Sequence, residues 1–132
     1  MNKVLISIGS NFDSGNNVNC CRLLLDLHFE NIFYSQVCET VPYGENYEHN
    51  FLNQLAVFTT EKPLSEVQNI LKSIERQIGR TSNDKETGLV KIDVDLVVWN
   101  HEILKPKDIR RTYVKALLVT LPQGILEDIT TF

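Results

Sequence analysis

Cysteine is scarce in this 132-residue chain: Cys20, Cys21 and Cys38 are an odd number with no C-x-x-C spacing. Neither a disulfide framework nor a cysteine zinc site is supported, and the thiols are expected to stay reduced, as in a cytoplasmic protein. Glycine (6) and proline (4) are also few, which excludes collagen-like and low-complexity chains. No apolar run approaches the roughly 18 residues that cross a bilayer, and the stretch ahead of Gly9 is too short for a signal peptide, so neither membrane insertion nor export is expected. Positive charge is in deficit, with 13 Lys and Arg against 17 Asp and Glu for a net charge of -4. A sequence-independent grip on nucleic acid or an anionic membrane is therefore not expected. Two motifs are missing as well. Gly9-Ser10-Asn11 lacks the spacing of a P-loop, and His28, His49 and His101 are scattered without metal-ligand spacing.

What is present is ordinary globular material, 42% hydrophobic and 23% charged, of a length that suits one domain over residues 1–132. Residues 4–8 (Val-Leu-Ile-Ser-Ile) read as a buried strand that ends in a Gly-Ser-Asn turn. Val18, Cys21, Leu24, Leu25 and His28 recur at helical spacing and predict a helix over about 16–28. Two β-branched and aromatic runs, 31–39 and 51–60, predict strands. Leu64, Val67, Ile70, Leu71, Ile74 and Ile78 share a helical face between Pro63 and Gly79, which predicts a second helix over 63–78. Residues 81–88 are polar, with little to bury, and read as a mobile surface loop. A last strand follows over 90–99. Beyond it, 100–102 read as a turn, 105–108 as a loop and 113–121 as a short apolar element. The order βαββαβ predicts an α+β, ferredoxin-like sandwich: a four-stranded antiparallel sheet with two helices on one face and a short C-terminal extension.

Chemistry is concentrated in a few places. Asp93-Val94-Asp95 puts two carboxylates on one face of a strand, roughly 7 Å apart at ~3.3 Å rise per residue, while Ile92, Val94 and Leu96 turn to the core. Hard oxygen donors of this kind suit Mg²⁺ bridging to phosphates, although a strand can also carry two acids on its wet face without function. Asn53 is an amide within an apolar strand, able to pair with a planar heterocycle or simply to cap a turn. Arg80 opens the polar loop and Lys91 lies two residues before Asp93. Cations so placed suit phosphoryl or pyrophosphoryl transfer, and an arginine at a helix C-terminus also suits the helix dipole.

Taken in order, Ile8-Gly9-Ser10-Asn11, Glu39-Thr40-Val41-Pro42-Tyr43-Gly44, Phe51-Leu52-Asn53, Ile74-Glu75-Arg76-Gln77-Ile78-Gly79-Arg80 and Ile92-Asp93-Val94-Asp95-Leu96 resemble the 6-hydroxymethyl-7,8-dihydropterin pyrophosphokinase family of folate biosynthesis. The resemblance implies transfer of pyrophosphate from ATP to the hydroxymethyl group of a reduced pterin, leaving AMP. It implies two Mg²⁺ ions on Asp93 and Asp95, with Arg80 completing the catalytic set. The pterin would lie against Thr40, Val41, Pro42 and Tyr43, bond Asn53 and stack on Tyr113, while Arg80, Lys91 and Arg111 would meet ATP. The chain also departs from the family pattern. Ser82, Thr87 and Gly88-Leu89-Val90-Lys91 stand where the family carries a further arginine, a Trp or similar residue and a Gly-Pro-Arg-Thr run, so two phosphate-facing arginines are missing; its Pro-His segment is absent and the C-terminal portion is shorter. These departures imply reduced activity or, alternatively, a non-catalytic relative acting as a pterin- or nucleotide-binding module. An interaction domain whose acids are merely surface charge is the third reading.

Overall fold

The computed structural model describes residues 1–42, 49–122 and 124. Its longest strands are the apolar runs: β1 (Asn2–Ser10) and β4 (Phe51–Thr60) pair antiparallel along their whole length, from Asn2 opposite Thr60 to Ser10 opposite Leu52. On the other side of β1 lies β5 (Asp93–Trp99), also antiparallel, with Ser7 opposite Asp95 and Gly9 opposite Asp93. The sheet is completed by β2 (Phe33–Tyr34) and β3 (Cys38–Thr40), both on β4, and by β6 (Glu102–Ile103) on β5.

Two long helices cover one face. α1 (Ser14–His28) buries Val18, Cys21 and Leu25, and α2 (Leu64–Ile78) buries Val67, Leu71 and Ile74. They close over Val4, Ile6, Ile8, Phe58, Val94 and Leu96. The opposite face is covered at one end by α4 (Pro106–Ile109) and α5 (Thr112–Leu118), whose Ile109, Val114, Leu117 and Leu118 pack on Leu5, Leu55, Val57, Val97 and Val98. A bulge makes this possible. Leu5 pairs with Val98 but Ile6 with Leu96, so Val97 is the extra residue, and both Val97 and Val98 join the second cluster. The other end of that face, around Ser7 and Gly9, stays open.

The α+β class, the open antiparallel sheet and the pair of long helices agree with the sequence reading, but the sheet has six strands where four were expected. The run 31–39 does not form one strand because Ser35 interrupts it. Its hydroxyl accepts the backbone N–H of Leu55 at 2.8 Å while its carbonyl accepts from the Gln54 side chain at 2.8 Å, so the ladder breaks into β2 and β3. β6 is an addition, a short return across the turn at Asn100 (φ 55°). The last long strand begins at Asp93 and not at 90, because Val90 pairs with Asn11 beyond the end of β1. The polar run 81–88 also differs from a loop with nothing to bury. It contains a one-turn helix, α3 (Asp84–Thr87), and Asp84 is 3% exposed. Among the described residues no helix is long and apolar enough to cross a membrane.

Candidate functional site

The open end of the sheet carries a row of residues set by strand register. Cys38, Asn53, Gly9 and Asp93 lie side by side on β3, β4, β1 and β5, and Asp95 lies next to Ser7 in the adjoining row. Laterally paired residues point to the same face, so the amide and both carboxylates share one surface. There they line a cleft of about 160 Å³ together with Ser7, Gly9, Thr40 and Phe51 from the sheet, Asp108 and Tyr113 from the C-terminal helices and Arg111 from the link between them. Gly9 matters here for what it lacks: a Cβ would stand 3.4 Å from Asn53 Oδ1 and 3.8 Å from the Phe51 ring, inside the cleft.

Asn53 is 5% exposed. Its Nδ2 donates to Thr40 Oγ1 at 2.7 Å and lies 3.4 Å from the carbonyls of Cys38 and Phe51, while its Oδ1 accepts no bond among the described residues. An amide held through its nitrogen and offering its oxygen to a cleft suits a planar ligand with ring N–H donors.

The carboxylate pair is electrostatically asymmetric. Burial raises the Asp95 carboxyl first, and the charge of Asp93 together with a hydrogen bond to it adds to the effect, bringing Asp95 up to about 7. Burial also pushes Asp93 upward, but bonds from Asp95 and Arg80 outweigh it and hold Asp93 below the usual carboxylate range. Two acids that share a proton in this way offer oxygen donors that a divalent cation would neutralise, so the donor set fits Mg²⁺. Among the described residues no third acid, histidine or cysteine joins them as a cluster.

Arg80 reaches this pair because of how α2 ends. Gly79 (φ 110°) donates its N–H to the Arg76 carbonyl at 3.0 Å and Arg80 donates to the Glu75 carbonyl at 3.0 Å, the double bond of a Schellman cap. The cap turns Arg80 back over the sheet, where its guanidinium bonds Asp93, Glu75 Oε2 at 3.1 Å and the Ile92 carbonyl at 3.2 Å. Glu75 is the hub. Only 4% exposed, it also accepts the Val94 N–H at 2.8 Å and lies 3.6 Å from Lys72 Nζ, tying α2 to β5. Burial raises its carboxyl despite the Val94 bond and the Arg80 charge.

Of the residues singled out from the sequence, Asp93, Asp95, Asn53, Thr40, Arg111 and Tyr113 meet at the cleft, and Arg80 touches it through Asp93. Val41 is 74% exposed, and neither it nor Pro42 lines the cleft; Tyr43 lies outside the described residues. Lys91 is also not at the cleft: its Nζ is 3.3 Å from Asp84 Oδ1. Burial raises Asp84, but bonds from Thr81 and Lys91 bring it below its usual range. Asn11 pins the same loop by bonding the Gly88 carbonyl at 2.8 Å and the Val90 N–H at 2.6 Å. Sequence reasoning gave no site role to Ser7, Asp108 or Glu75. Ser7 and Glu75 were visible in principle, the one as a polar residue inside an apolar strand and the other as an acid next to the buried face of α2.

Comparison with known proteins bears on this geometry. The family model described as 7,8-dihydro-6-hydroxymethylpterin-pyrophosphokinase matches residues 5–123. The folate synthesis bifunctional protein of Arabidopsis thaliana is 31% identical over an alignment of 131 positions, gaps included, that covers 90% of this chain. The chain spans 27% of the length of that relative.

Proposed function

This chain belongs to the 7,8-dihydro-6-hydroxymethylpterin-pyrophosphokinase family, and we propose that it transfers pyrophosphate from ATP to the hydroxymethyl group of a reduced pterin. The observation that carries the reading is the lateral row Asn53–Gly9–Asp93, with Asp95 beside it: an amide suited to a pterin edge adjoins a carboxylate pair suited to Mg²⁺ across one glycine-floored cleft. We read the sheet as ferredoxin-like, with β2 and β3 as one interrupted strand and β6 as an addition, in a single domain.

In this reading Asn53 and Thr40 bind the pterin edge, Tyr113 packs against the ring, and the absence of a Cβ at Gly9 leaves room for it. Asp93 and Asp95 would hold two Mg²⁺ ions, which would neutralise phosphate charge. Asp95 also lines a second cleft, between α2 and β5, where Leu64, Leu71, Leu96 and Leu104 stand beside the amides of Gln68 and Asn69. A nucleotide base and ribose suit that lining, and the shared Asp95 puts the phosphates next to the pterin. The hydroxymethyl oxygen attacks the β-phosphorus and its proton passes to solvent, the bond from the β-phosphorus to the oxygen shared with the α-phosphorus breaks, and AMP leaves with that oxygen. Arg80, on Asp93, Arg111, on the cleft wall, and Lys105, which lines the second cleft with Asp95, are cations that border the path of the transferred group.

A second reading, a binding module without turnover, has its own support. The chain has no arginine between Arg80 and Arg110, and Lys91 is paired with Asp84. Assay of AMP formation from ATP, 6-hydroxymethyl-7,8-dihydropterin and Mg²⁺ separates the two. Pterin-dependent AMP supports the enzyme; binding of both ligands without AMP supports the module; binding of neither refutes both.

A further inference from the structure

The segment that joins Arg80 to Asp93 is polar in sequence, yet a carboxylate lies buried in its middle. Four donors reach Asp84: the Thr81 N–H at 3.3 Å, Thr81 Oγ1 at 2.9 Å, the Lys91 N–H at 3.4 Å and Lys91 Nζ at 3.3 Å. One side chain thus joins the residue after Arg80 to the residue two before Asp93 and closes the loop across its neck. A second, separate set of bonds holds the far half. Asn11, just past the end of β1, donates its backbone N–H to the Val90 carbonyl at 3.0 Å and its side-chain amide to the Gly88 carbonyl at 2.8 Å, and it accepts the Val90 N–H at 2.6 Å. The Ser10 hydroxyl donates to the Lys91 carbonyl beside it. Between the two anchors, the Thr87 N–H donates to the Asn83 carbonyl at 3.0 Å within α3.

We propose that Asp84 is a latch that keeps residues 81–91 in one preformed conformation with or without ligand, so that this loop is a fixed wall and not a lid. Surface loops open readily when few of their backbone groups are paired and little of them is buried. This loop differs on both counts: Asp84, Gly88 and Val90 are buried, and the amides of Thr81, Val90 and Lys91 all have acceptors. Opening it would strip four bonds from one buried carboxylate at once, since the donors sit on both sides of the neck. Lys91 belongs to the latch, which is why it does not line the cleft with Asn53. A wall already in place adds no ordering cost when a ligand binds. The inference goes beyond the pyrophosphokinase reading, which is silent on how the loop moves.

The test is amide hydrogen exchange, resolved by residue with NMR, on the wild type alone, on the wild type with ATP plus Mg²⁺, and on Asp84→Ala. In the free wild type the Thr81, Val90 and Lys91 amides should exchange at least about tenfold more slowly than in an unstructured chain, and ATP plus Mg²⁺ should change those rates less than about threefold. In Asp84→Ala the Thr81 and Lys91 amides should exchange at least about tenfold faster, while Val90, held by Asn11, and the amides of β4 stay near their wild-type rates. Thr81→Val removes a single bond to the carboxylate and should give a smaller acceleration at the same two amides, which serves if the alanine variant does not fold. Loop amides that are unprotected in the free wild type and become protected only with ATP plus Mg²⁺ would make the segment a lid and overturn the proposal. So would unchanged Thr81 and Lys91 exchange in a folded Asp84→Ala. If calorimetry shows no binding of ATP with Mg²⁺, the pyrophosphokinase reading fails, and the free wild type and the variants still decide whether Asp84 is the latch.

Discussion

Mg²⁺ binding should release a proton from Asp95, in an amount that depends on pH in a defined way. The carboxyl rises from 3.8 to about 7, through burial first and then through the charge and hydrogen bond of Asp93. At pH 6 it is about 0.9 protonated and at pH 8 about 0.1, from the ordinary titration of one group with that midpoint. A cation that binds the carboxylate form must expel that proton. Affinity should therefore rise about tenfold per pH unit below 7 and flatten above it. Calorimetry in two buffers of different protonation enthalpy reads the released proton directly. Near-complete release at pH 6 and almost none at pH 8 is the expected pattern; no release at pH 6 would refute the reasoning.

The same shift fixes how the metal-free protein responds to pH. Because folding raises Asp95, its contribution to stability is fully present below about 4 and is lost as pH rises through about 7, with an upper bound of about 4 kcal/mol. Asp93 is lowered on folding, so its contribution is present above 3.8 and is lost as pH falls through its folded value. The site therefore favours the fold most near pH 4, its contribution falls by about 1.4 kcal/mol per unit from there to about 7, and Mg²⁺ should restore stability on the alkaline side. Asp93→Asn removes the neighbouring charge, so the Asp95 carboxyl followed by NMR should titrate lower; an unmoved midpoint would show that burial alone sets it.

Three further outcomes follow from the contacts. Glu75→Ala leaves the Val94 N–H without its 2.8 Å acceptor and removes one partner of Arg80, which should cost about 2–4 kcal/mol in urea denaturation; a loss under about 0.5 kcal/mol would mean water replaces the carboxylate. Asn53→Ala should weaken pterin binding by about 1–3 kcal/mol in calorimetry with little change in MgATP affinity, and an equal loss for both ligands would place the amide elsewhere in the mechanism. Gly79→Ala forces an L side chain to φ 110° with Lys91 Cδ 3.5 Å away; it should cost about 1–2 kcal/mol in thermal unfolding, and a neutral result would show that the cap is not strained.

The fold was legible where one physical pattern dominated. β4 occupies 51–60 as its β-branched and aromatic run indicates, and α2 ends at Gly79 because periodicity and cap agree. The misses have local causes. Ser35 breaks a strand by offering its hydroxyl to a ladder N–H, a competition that alternation does not reveal. Asp84 looked like one polar residue among many, yet Thr81 and Lys91 surround it with donors, and only the folded chain brings Lys91 seven residues back to it. The 105–121 stretch read as loop and short apolar element because α4 and α5 are too short for a clear period. Their burial depends on Val97 and Val98, which a bulge turns to the same face.

The site divides along the same line. Asp93 and Asp95 could be placed on one face from i, i+2 spacing alone, since a strand allows no other arrangement. That Asn53 stands beside them is a matter of register: Gly9 pairs with Asn53 on one side and Asp93 on the other, and a slip of one residue would bury the amide beneath α1 and α2. Register in turn is fixed by the apolar residues of β1, since Val4, Ile6 and Ile8 must face the helices and thereby turn Leu5, Ser7 and Gly9 to the other side. The helices and the cleft are thus not independent. The hydrophobic alternation that closes one face of the sheet also places the polar row on the other, and Glu75, the acid that α2 buries, joins the two layers by holding Arg80 against Asp93.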